Sequence, residues 1–346
     1  MPKHFTHLKD FTAAEFTALA DFALALKKSP PANAPLAGKS LAFCYMNPSL
    51  RTQVSSEVAT ASLGGHPVTL SLGAGTGTWG MESVEGAVMD GSAAEHLKEA
   101  VPVLGRFCAA LGLRSFPSGL SWEEDKKELP LTAFRKYSTV PVINLESASG
   151  HPCQALADLA TIKERFAPKK KNFLLAWAPH VKALPMAVPN SAAEMAAMAG
   201  MNVTIARPEG YDLDPEVMAR VERHCAAHGA SLRVTDDVPA AYAGQHVVYG
   251  KSWGSIVHYG KPPSADAAFR AKWIVDAAKM KRTDDALFMH CLPVRRNLVV
   301  ADEVLDGPWS VVIDEAENRL HAAKAVLLHL LSTHAETPAV PRRHSR

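Results

Sequence analysis

Three short motifs carry the side chains with the clearest chemical potential. Ser49-Leu50-Arg51-Thr52 offers two hydroxyls and a guanidinium where a helix is predicted to begin. A helix start presents free backbone N–H groups and a positive dipole end, so this motif suits an anion such as phosphate. His151-Pro-Cys-Gln154 and His290-Cys-Leu-Pro293 add imidazole, amide and thiol groups. Taken singly, each motif is more typical of a simple helix cap or a buried structural residue.

The elements that must position these motifs alternate between apolar runs and helical stretches, which is typical of parallel sheets covered by helices. Thr12 and Glu15 form a capping box before the first helix. Predicted strands cover residues 40–46, 67–70, 112–116 and 140–144, and then 173–177, 202–206, 231–234, 246–249, 286–290 and 310–313. Because open α/β sheets bind ligands at the carboxyl ends of their strands, the three motifs are predicted to share one cleft.

Two domains are predicted, since 346 residues exceed the roughly 150 of one typical domain. Residues 1–150 and 151–314 each read as a doubly wound parallel-sheet α/β domain. A helix at 315–333 carries an apolar stripe through Leu320, Val326 and Leu330, and it is predicted to pack back on the first domain. The tail at 336–346, with two prolines and three arginines, is predicted to be disordered.

The charged residues are nearly balanced, with 37 Lys and Arg against 35 Asp and Glu, and the surplus of +2 lies in the tail. This balance argues against binding to nucleic acid and against a polybasic membrane anchor. The cysteines form no CxxC pair, which argues against disulfides and a thiolate zinc site; they are Cys44, Cys108, Cys153, Cys225 and Cys291. With no apolar leader or membrane-spanning run visible, a cytoplasmic protein is predicted.

The order and spacing of the three motifs resemble the aspartate/ornithine carbamoyltransferase family. Its members transfer a carbamoyl group from carbamoyl phosphate to an amine, and the resemblance runs from about residue 5 to residue 331. It implies an enzyme without a metal or another cofactor, because carbamoyl phosphate is already activated. Catalysis would then rest on orientation and charge stabilisation, with no covalent enzyme intermediate.

Within this family, the chain most resembles the branch that uses N-acylated ornithine. Tyr249-Gly-Lys-Ser-Trp-Gly254 stands where ornithine-using members have a Ser-Met-Gly turn, and aspartate-using members lack H-C-L-P. The proline-rich loop at 178–190 and Trp79 also match the branch. The resemblance implies a homotrimer with sites at subunit interfaces and a second domain with a trefoil knot, which is otherwise rare.

The resemblance also assigns roles to individual residues. Carbamoyl phosphate is expected to be bound by Ser49, Leu50, Arg51, Thr52, Trp79 of a neighbouring subunit, Arg114, His151, Gln154 and Leu292. The acylornithine is expected to be bound by Glu146, His180, Lys251, Cys291, Arg295 and Ala94. The catalytic residues are expected to be Arg114, His151, Thr52 and Cys291, of which the first three would stabilise the developing oxyanion.

The acyl group is predicted from three positions. Acetyl-using members carry a glutamate at the position of Ala94, contributed by a neighbouring subunit, whereas succinyl-using members carry a small or apolar residue. Alanine lacks the charge that would repel a succinyl carboxylate. Val299 stands where acetyl-type members have a lysine, and residues 146–151 have the longer spacing of the succinyl type. We therefore predict N-succinyl-L-ornithine as the acceptor, giving N-succinyl-L-citrulline and phosphate in arginine biosynthesis, with N-acetyl-L-ornithine as the alternative.

The phosphate motif departs from the family at one position. Gln53 stands where a second basic residue is usual. The substitution removes one cation but leaves Arg51, Arg114 and the helix start to bind phosphate. We interpret it as a tolerated change.

Two other functions fit parts of the sequence. Gly75-Thr-Gly-Thr-Trp-Gly80 matches the G-x-G-x-x-G of NAD-dependent dehydrogenases, but no apolar helix follows it and Trp79 would crowd a pyrophosphate. A non-catalytic binding protein for small anions would keep the phosphate motif, yet it has no need of His151, Gln154 and His290 together. Only the carbamoyltransferase interpretation uses all three motifs.

Overall fold

The computed structural model describes residues 3–73 and 79–332, and two parallel sheets organise this part of the chain. A short 3₁₀ helix (Leu8–Asp10) comes first. The first sheet and its helices comprise α1 (Ala13–Lys28), β1 (Ser40–Tyr45), α2 (Leu50–Ser62), β2 (His66–Ser71), β3 (Met81–Glu82), β4 (Glu95–His96), α3 (Leu97–Phe107), β5 (Ala110–Arg114), α4 (Trp122–Asp125), α5 (Leu129–Tyr137) and β6 (Val142–Glu146).

The second sheet and its helices follow without a long linker. They comprise α6 (Pro152–Arg165), β7 (Asn172–Trp177), α7 (Ala187–Met198), β8 (Asn202–Ala206), α8 (Pro215–His228), β9 (Leu232–Thr235), α9 (Val238–Tyr242), β10 (Val247–Lys251), α10 (Ala267–Trp273), α11 (Ala277–Met280), β11 (Leu287–Met289), α12 (Asp302–Leu305) and α13 (Val312–Leu331).

Both sheets are parallel throughout. The first has the strand order β2-β1-β5-β6 and the second has the order β11-β10-β7-β8-β9. Strands β5, β6 and β10 are buried along their whole length, as strands covered on both faces must be. The predicted α/β class with two parallel sheets is confirmed. The domain limits at residues 150 and 314 and the trefoil knot stay predictions.

The local predictions hold for most elements. The capping box of Thr12 and Glu15 starts α1 as expected. Nine of the ten predicted strands are present, with ends shifted by at most two residues. The strand predicted at 310–313 is wrong, because only Ser310 bridges to Phe288 before α13 begins at Val312. The apolar residues that suggested a strand instead lead into the first turn of α13.

The last helix, α13, ties the two halves together. It packs against α6, α1 and α2, and it is buried on more than one face. Its buried residues include the polar Glu315, Asn318 and Arg319 beside the apolar Val326 and Leu327. A helix that buries polar side chains must give them partners. Those partners lie in the candidate site. The predicted tail at 336–346 lies outside the described residues.

Candidate active site

The phosphate motif caps α2 as predicted. The Ser49 hydroxyl accepts the backbone N–H of Thr52 at 3.4 Å and donates to the Thr52 hydroxyl at 3.0 Å. The side-chain carbonyl of Asn47 accepts the backbone N–H of Phe116 at 2.7 Å, which holds the turn against the end of β5. Arg51 is half-buried. The turn therefore holds a helix N-terminus, two hydroxyls and a guanidinium within four consecutive residues.

Arg114 and Glu146 meet where β5 and β6 end. Their side chains form a buried ion pair, and the Arg114 guanidinium lies 4.4 Å from the centre of the Phe116 ring. The Nε2 atom of His151 is 3.6 Å from the same Glu146 carboxylate. One residue expected to bind the acceptor thus contacts two expected to bind carbamoyl phosphate. The predicted substrates would meet at this pair.

His151 lies at the start of α6 and is 3 % exposed. Its backbone N–H donates to the Ser191 hydroxyl at 2.8 Å, and its Nδ1 atom has no hydrogen-bond partner among the described residues. Burial, followed by the charges of Arg319 and Arg114, lowers the pKa of His151 well below its usual value. The imidazole is therefore neutral at physiological pH and has ring nitrogens able to bond a substrate.

Arg319 of α13 is a site residue that no sequence motif marked. Its guanidinium donates to the Gln154 carbonyl oxygen at 2.6 Å and to the Thr52 hydroxyl at 3.2 Å. It thereby joins the phosphate motif to the H-P-x-Q motif. The only local signal is Glu315 four residues earlier, an acid and a base one helical turn apart.

The H-C-L-P motif forms a tight turn after β11. The Leu292 backbone is left-handed (φ 53°), and its N–H donates to the Nδ1 atom of His290 at 2.8 Å. Such backbone conformations are costly for leucine and are concentrated at functional sites. Burial raises the pKa of the Cys291 thiol to about 12, so the thiol is neutral.

Basic groups lie on the acceptor side. The Arg295 Nε–H donates to Nε2 of His180 at 3.1 Å, and Lys251 bonds only the Ser252 carbonyl oxygen, at 3.0 Å, within the described part of the chain. A ring nitrogen that accepts a hydrogen bond has no proton, so the His180 imidazole must be neutral. This agrees with its pKa, which burial lowers. Arg296, which follows Arg295 in the sequence, pairs with Asp302 and Asp306.

A cavity of about 410 Å³ lies between the two halves of the chain, and part of its wall begins at Val181, the residue after His180. It is lined by residues 116–119, 181–185 and 259–260, together with Gly254 and Pro262. This volume is typical of a site for a small organic ligand.

Two hydrogen bonds that the sequence did not predict join the halves of the chain, and one of them involves Tyr259 of the cavity wall. The Tyr259 hydroxyl donates to the Asp125 carboxylate at 2.8 Å, and the indole of Trp122 donates to Asp214 at 2.8 Å. A Cβ atom on Gly260 would lie 2.1 Å from the Gly119 carbonyl oxygen, so only glycine fits there. We call the Asp125–Tyr259 contact the latch, since it joins the two halves directly.

Trp79 and Ala94 are distant in sequence from the other site residues described above. They lie in the segment that contains β3 and β4. Trp79 is 60 % exposed, and the Ala94 side chain is also exposed. Exposure in the single chain is what a contribution to a neighbouring subunit's site requires. Val299 is 2 % exposed, so its side chain is part of the core. Residues 75–78 of the G-x-G-x-x-G match lie outside the described residues.

No group of three or more His, Cys, Asp or Glu side chains could hold a metal ion within residues 3–73 and 79–332. In the same ranges, no helix is long and apolar enough to cross a membrane.

Comparison with known proteins identifies both halves of the chain. The family model described as the carbamoyl-P binding domain of aspartate/ornithine carbamoyltransferase matches residues 3–164, and the model of the Asp/Orn binding domain matches residues 186–330.

Two relatives are named for different N-acylated ornithines. An N-acetylornithine carbamoyltransferase of Xanthomonas campestris is 42 % identical, covering 95 % of this chain and 98 % of the relative. An N-succinylornithine carbamoyltransferase of Bacteroides fragilis is 39 % identical, covering 85 % of this chain and 87 % of the relative.

A solved structure has the same fold. It is an N-acetyl-L-ornithine transcarbamylase variant with a glutamate replaced by proline, complexed with carbamyl phosphate and N-succinyl-L-norvaline. The TM-score is 0.90 at 41 % identity, over 95 % of this chain and 99 % of that chain.

Proposed function

This chain belongs to the aspartate/ornithine carbamoyltransferase family, and from that premise we propose that it carbamoylates the δ-amine of N-acetyl-L-ornithine. The comparisons place it in the N-acylornithine branch and identify it as a carbamoyltransferase. Between the two acyl groups they favour acetyl, because the acetyl-using relative is more similar and covers more of the chain. The succinyl preference predicted from the sequence is thus the less supported of the two.

One observation carries the proposed reaction. Thr52, Gln154 and Arg319, from three separate elements, are bonded into one buried group beside His151 and Arg114. We propose that carbamoyl phosphate binds at the α2 N-terminus with its carbonyl oxygen toward Arg114, Thr52 and His151. Fixed donors at that oxygen would stabilise the charge that develops when the amine attacks.

The acceptor would enter from the cavity. We propose that Lys251 and Arg295 bind its carboxylate, because neither cation forms an ion pair with an acid among the described residues and Arg295 contacts His180, the sequence neighbour of the cavity residue Val181. The δ-amine would then lie near Cys291 and Glu146. The departing phosphate can take the amine proton, so the protein supplies orientation and charge.

N-Succinyl-L-ornithine is the second candidate acceptor, and Ala94 favours it. The acetyl-using members have a glutamate at this position, and the solved variant that lacks a glutamate is complexed with a succinyl ligand. Val299 supports the succinyl acceptor less strongly than Ala94 does, because the Val299 side chain is buried in the core. We further propose a homotrimeric, cytoplasmic enzyme in which Trp79 and Ala94 reach a neighbouring subunit's site.

A product assay with carbamoyl phosphate and three acceptors tests the proposal: ornithine, N-acetyl-L-ornithine and N-succinyl-L-ornithine. We expect kcat/KM for the acetyl form to exceed that for the succinyl form by about tenfold, the range that small differences in pocket shape produce. A reversed ratio would establish the second candidate, and efficient use of free ornithine would contradict the branch.

The variant Ala94→Glu extends the assay. A carboxylate at this position should lower succinyl turnover and leave acetyl turnover nearly unchanged, because it repels only the longer, charged acyl group. The matched control is Ala227→Glu, which places the same charge on an exposed position of α8. Equal effects of the two substitutions would mean that residue 94 does not adjoin the acyl group.

A further inference from the structure

Two fully buried acids lie directly behind the candidate site and have no part in the mechanism above. Asp158 of α6 is 1 % exposed and Glu315 of α13 is 0 % exposed. Their side chains are close enough to hydrogen-bond each other. Burying one ionised carboxylate is costly, and burying two side by side is costlier still.

The amide of Gln154 links the two acids. Its NH₂ group donates to Asp158 Oδ1 at 2.7 Å and to Glu315 Oε1 at 3.3 Å, while its carbonyl oxygen accepts from Arg319 at 2.6 Å. Both the nitrogen and the oxygen of the amide therefore have hydrogen-bond partners in the protein. Only one orientation of the amide satisfies all three contacts. The carbonyl oxygen keeps one lone pair for a substrate N–H.

Glu315 also holds the second substrate-binding segment. Its Oε2 atom accepts the backbone N–H of His290 at 2.8 Å, and the Tyr249 hydroxyl lies 3.4 Å from Oε1. Both oxygens of Glu315 therefore have partners in the two motifs or beside them, Oε2 at the His290 backbone and Oε1 at the Gln154 amide and the Tyr249 hydroxyl. The two acids thus connect the H-P-x-Q and H-C-L-P motifs through one pair of side chains.

The surrounding charges support a single proton on the pair. The groups facing it are the neutral Gln154 from α6, Tyr249 from β10, the backbone of His290 after β11, and one cation, Arg319 from α13. One cation balances one carboxylate, not two. Burial first, and the neighbouring carboxyl next, raise the pKa of Glu315 well above its usual value.

We propose that Asp158 and Glu315 hold one proton between them and act as positioning residues, fixing the Gln154 amide and the His290 backbone toward the carbamoyl group. The shared proton makes the pair a single anion matched to Arg319. It turns two acids that would repel each other into one rigid support for both motifs. The inference rests on the proposed function only in that Gln154 binds the carbamoyl group.

Infrared spectroscopy tests the proton directly. The wild-type protein at neutral pH should show the carbonyl stretch of a protonated carboxylic acid, and both Glu315→Gln and Asp158→Asn should remove it, because each amide leaves the remaining acid ionised. A wild-type spectrum without this band would overturn the proposal. This result does not depend on the acceptor, so it is separable from the assignment of the acyl group.

Kinetics test the positioning role. Each single amide variant preserves one anion and one internal donor, so we expect kcat/KM for carbamoyl phosphate to stay within about fivefold of wild type. The double variant Asp158→Asn/Glu315→Gln removes the anion and leaves more donors than acceptors around Gln154. It should lose about a hundredfold in kcat/KM for carbamoyl phosphate.

Thermal unfolding of all three variants separates positioning from stability. The single variants serve as conservative controls, and kinetics are compared below the unfolding transition of each protein. A double variant that is less stable but binds carbamoyl phosphate with an unchanged KM and kcat would show a structural role only and overturn the proposal. A hundredfold loss in either single variant would show instead that both acids are ionised.

Discussion

The two halves of the candidate site are built differently. On the donor side, Thr52, Gln154 and Arg319 are buried and already bonded to one another. On the proposed acceptor side, a cavity of about 410 Å³ lies between the two halves of the chain, and Lys251 and Arg295 form no ion pair with an acid among the described residues. The proposed donor half is thus preorganised by bonds among its own side chains, whereas the proposed acceptor half has cations that a bound carboxylate would pair. Binding and turnover should therefore respond differently to substitutions in the two halves.

Arg319→Ala should have the largest effect. The substitution removes the cation that holds both Gln154 and Thr52, so the preorganised donor half should lose its alignment. We expect kcat/KM for carbamoyl phosphate to fall by about a hundredfold or more, the scale of losing one fixed donor near a developing charge. Steady-state kinetics with carbamoyl phosphate varied would measure it.

The matched control is Arg165→Ala, which removes an exposed ion pair to Asp314 between the same two helices. It should leave kinetics unchanged, since exposed pairs contribute little. If both variants behaved alike, the donor half would not depend on Arg319.

Lys251→Met should weaken the acceptor half alone. Loss of a charged hydrogen bond to the acceptor carboxylate should raise KM for the acceptor by about thirtyfold, with kcat/KM for carbamoyl phosphate within about threefold. Initial rates with each substrate varied in turn would separate the two effects.

The control for this variant is Lys281→Met, an exposed lysine next to α11. A loss of carbamoyl phosphate binding in Lys251→Met, absent from the control, would contradict the separation between the two halves.

Acid should destabilise the donor half through His151. Burial lowers the pKa of His151 in the folded protein, so below pH 6.5 the unfolded chain binds a proton that the folded chain does not. The free energy of unfolding should fall with decreasing pH by up to about 1.4 kcal/mol per unit for this histidine, and be constant with respect to it above pH 7.

Urea unfolding at pH 7, 6 and 5 measures this slope. His151→Asn should make it shallower, whereas the exposed His258→Asn should not. Identical slopes in the two variants would mean that His151 titrates as it does in the unfolded chain.

Tyr259→Phe should have the smallest effect. Removing the hydroxyl opens the latch between Asp125 and Tyr259, which lines the acceptor cavity but touches no reacting group. We expect KM for the acceptor to rise about threefold and kcat to stay unchanged, since a partly exposed hydrogen bond contributes about 1 kcal/mol. Acceptor saturation curves would measure it.

Tyr137→Phe is the matched control, because its hydroxyl bonds Glu85 on the surface away from the cavity. A larger effect of Tyr137→Phe than of Tyr259→Phe would rule out a role for the latch in acceptor binding.

The donor half was largely predictable from the sequence, and the acceptor half less so. Ser49 and Thr52 lie within one turn, and His151 and Gln154 within another, so local motifs describe them. The two parallel sheets also follow from local alternation of strands and helices. The acyl group was predicted mainly from Ala94, an exposed residue whose surroundings no local sequence pattern describes.

Arg319 and the latch were missed for a common reason. Arg319 is one charged residue within a helix, and such residues usually face solvent. Only the packing of α13 on α6 and α2 turns it inward. Tyr259 and Asp125 are 134 residues apart and meet only through packing of one half of the chain against the other. Long-range packing, and not local propensity, sets both features.

The position of α13 has a consequence for how the protein becomes active. Synthesis delivers both sheets, and every motif that resembles the family, before the last helix emerges from the ribosome. Until then Gln154 lacks the Arg319 guanidinium and His290 lacks the Glu315 carboxylate. A nascent or truncated chain could fold both sheets and still leave carbamoyl phosphate unconsumed. The order in which the elements are synthesised thus makes the bonds at Gln154 and His290 among the last of the described fold to form.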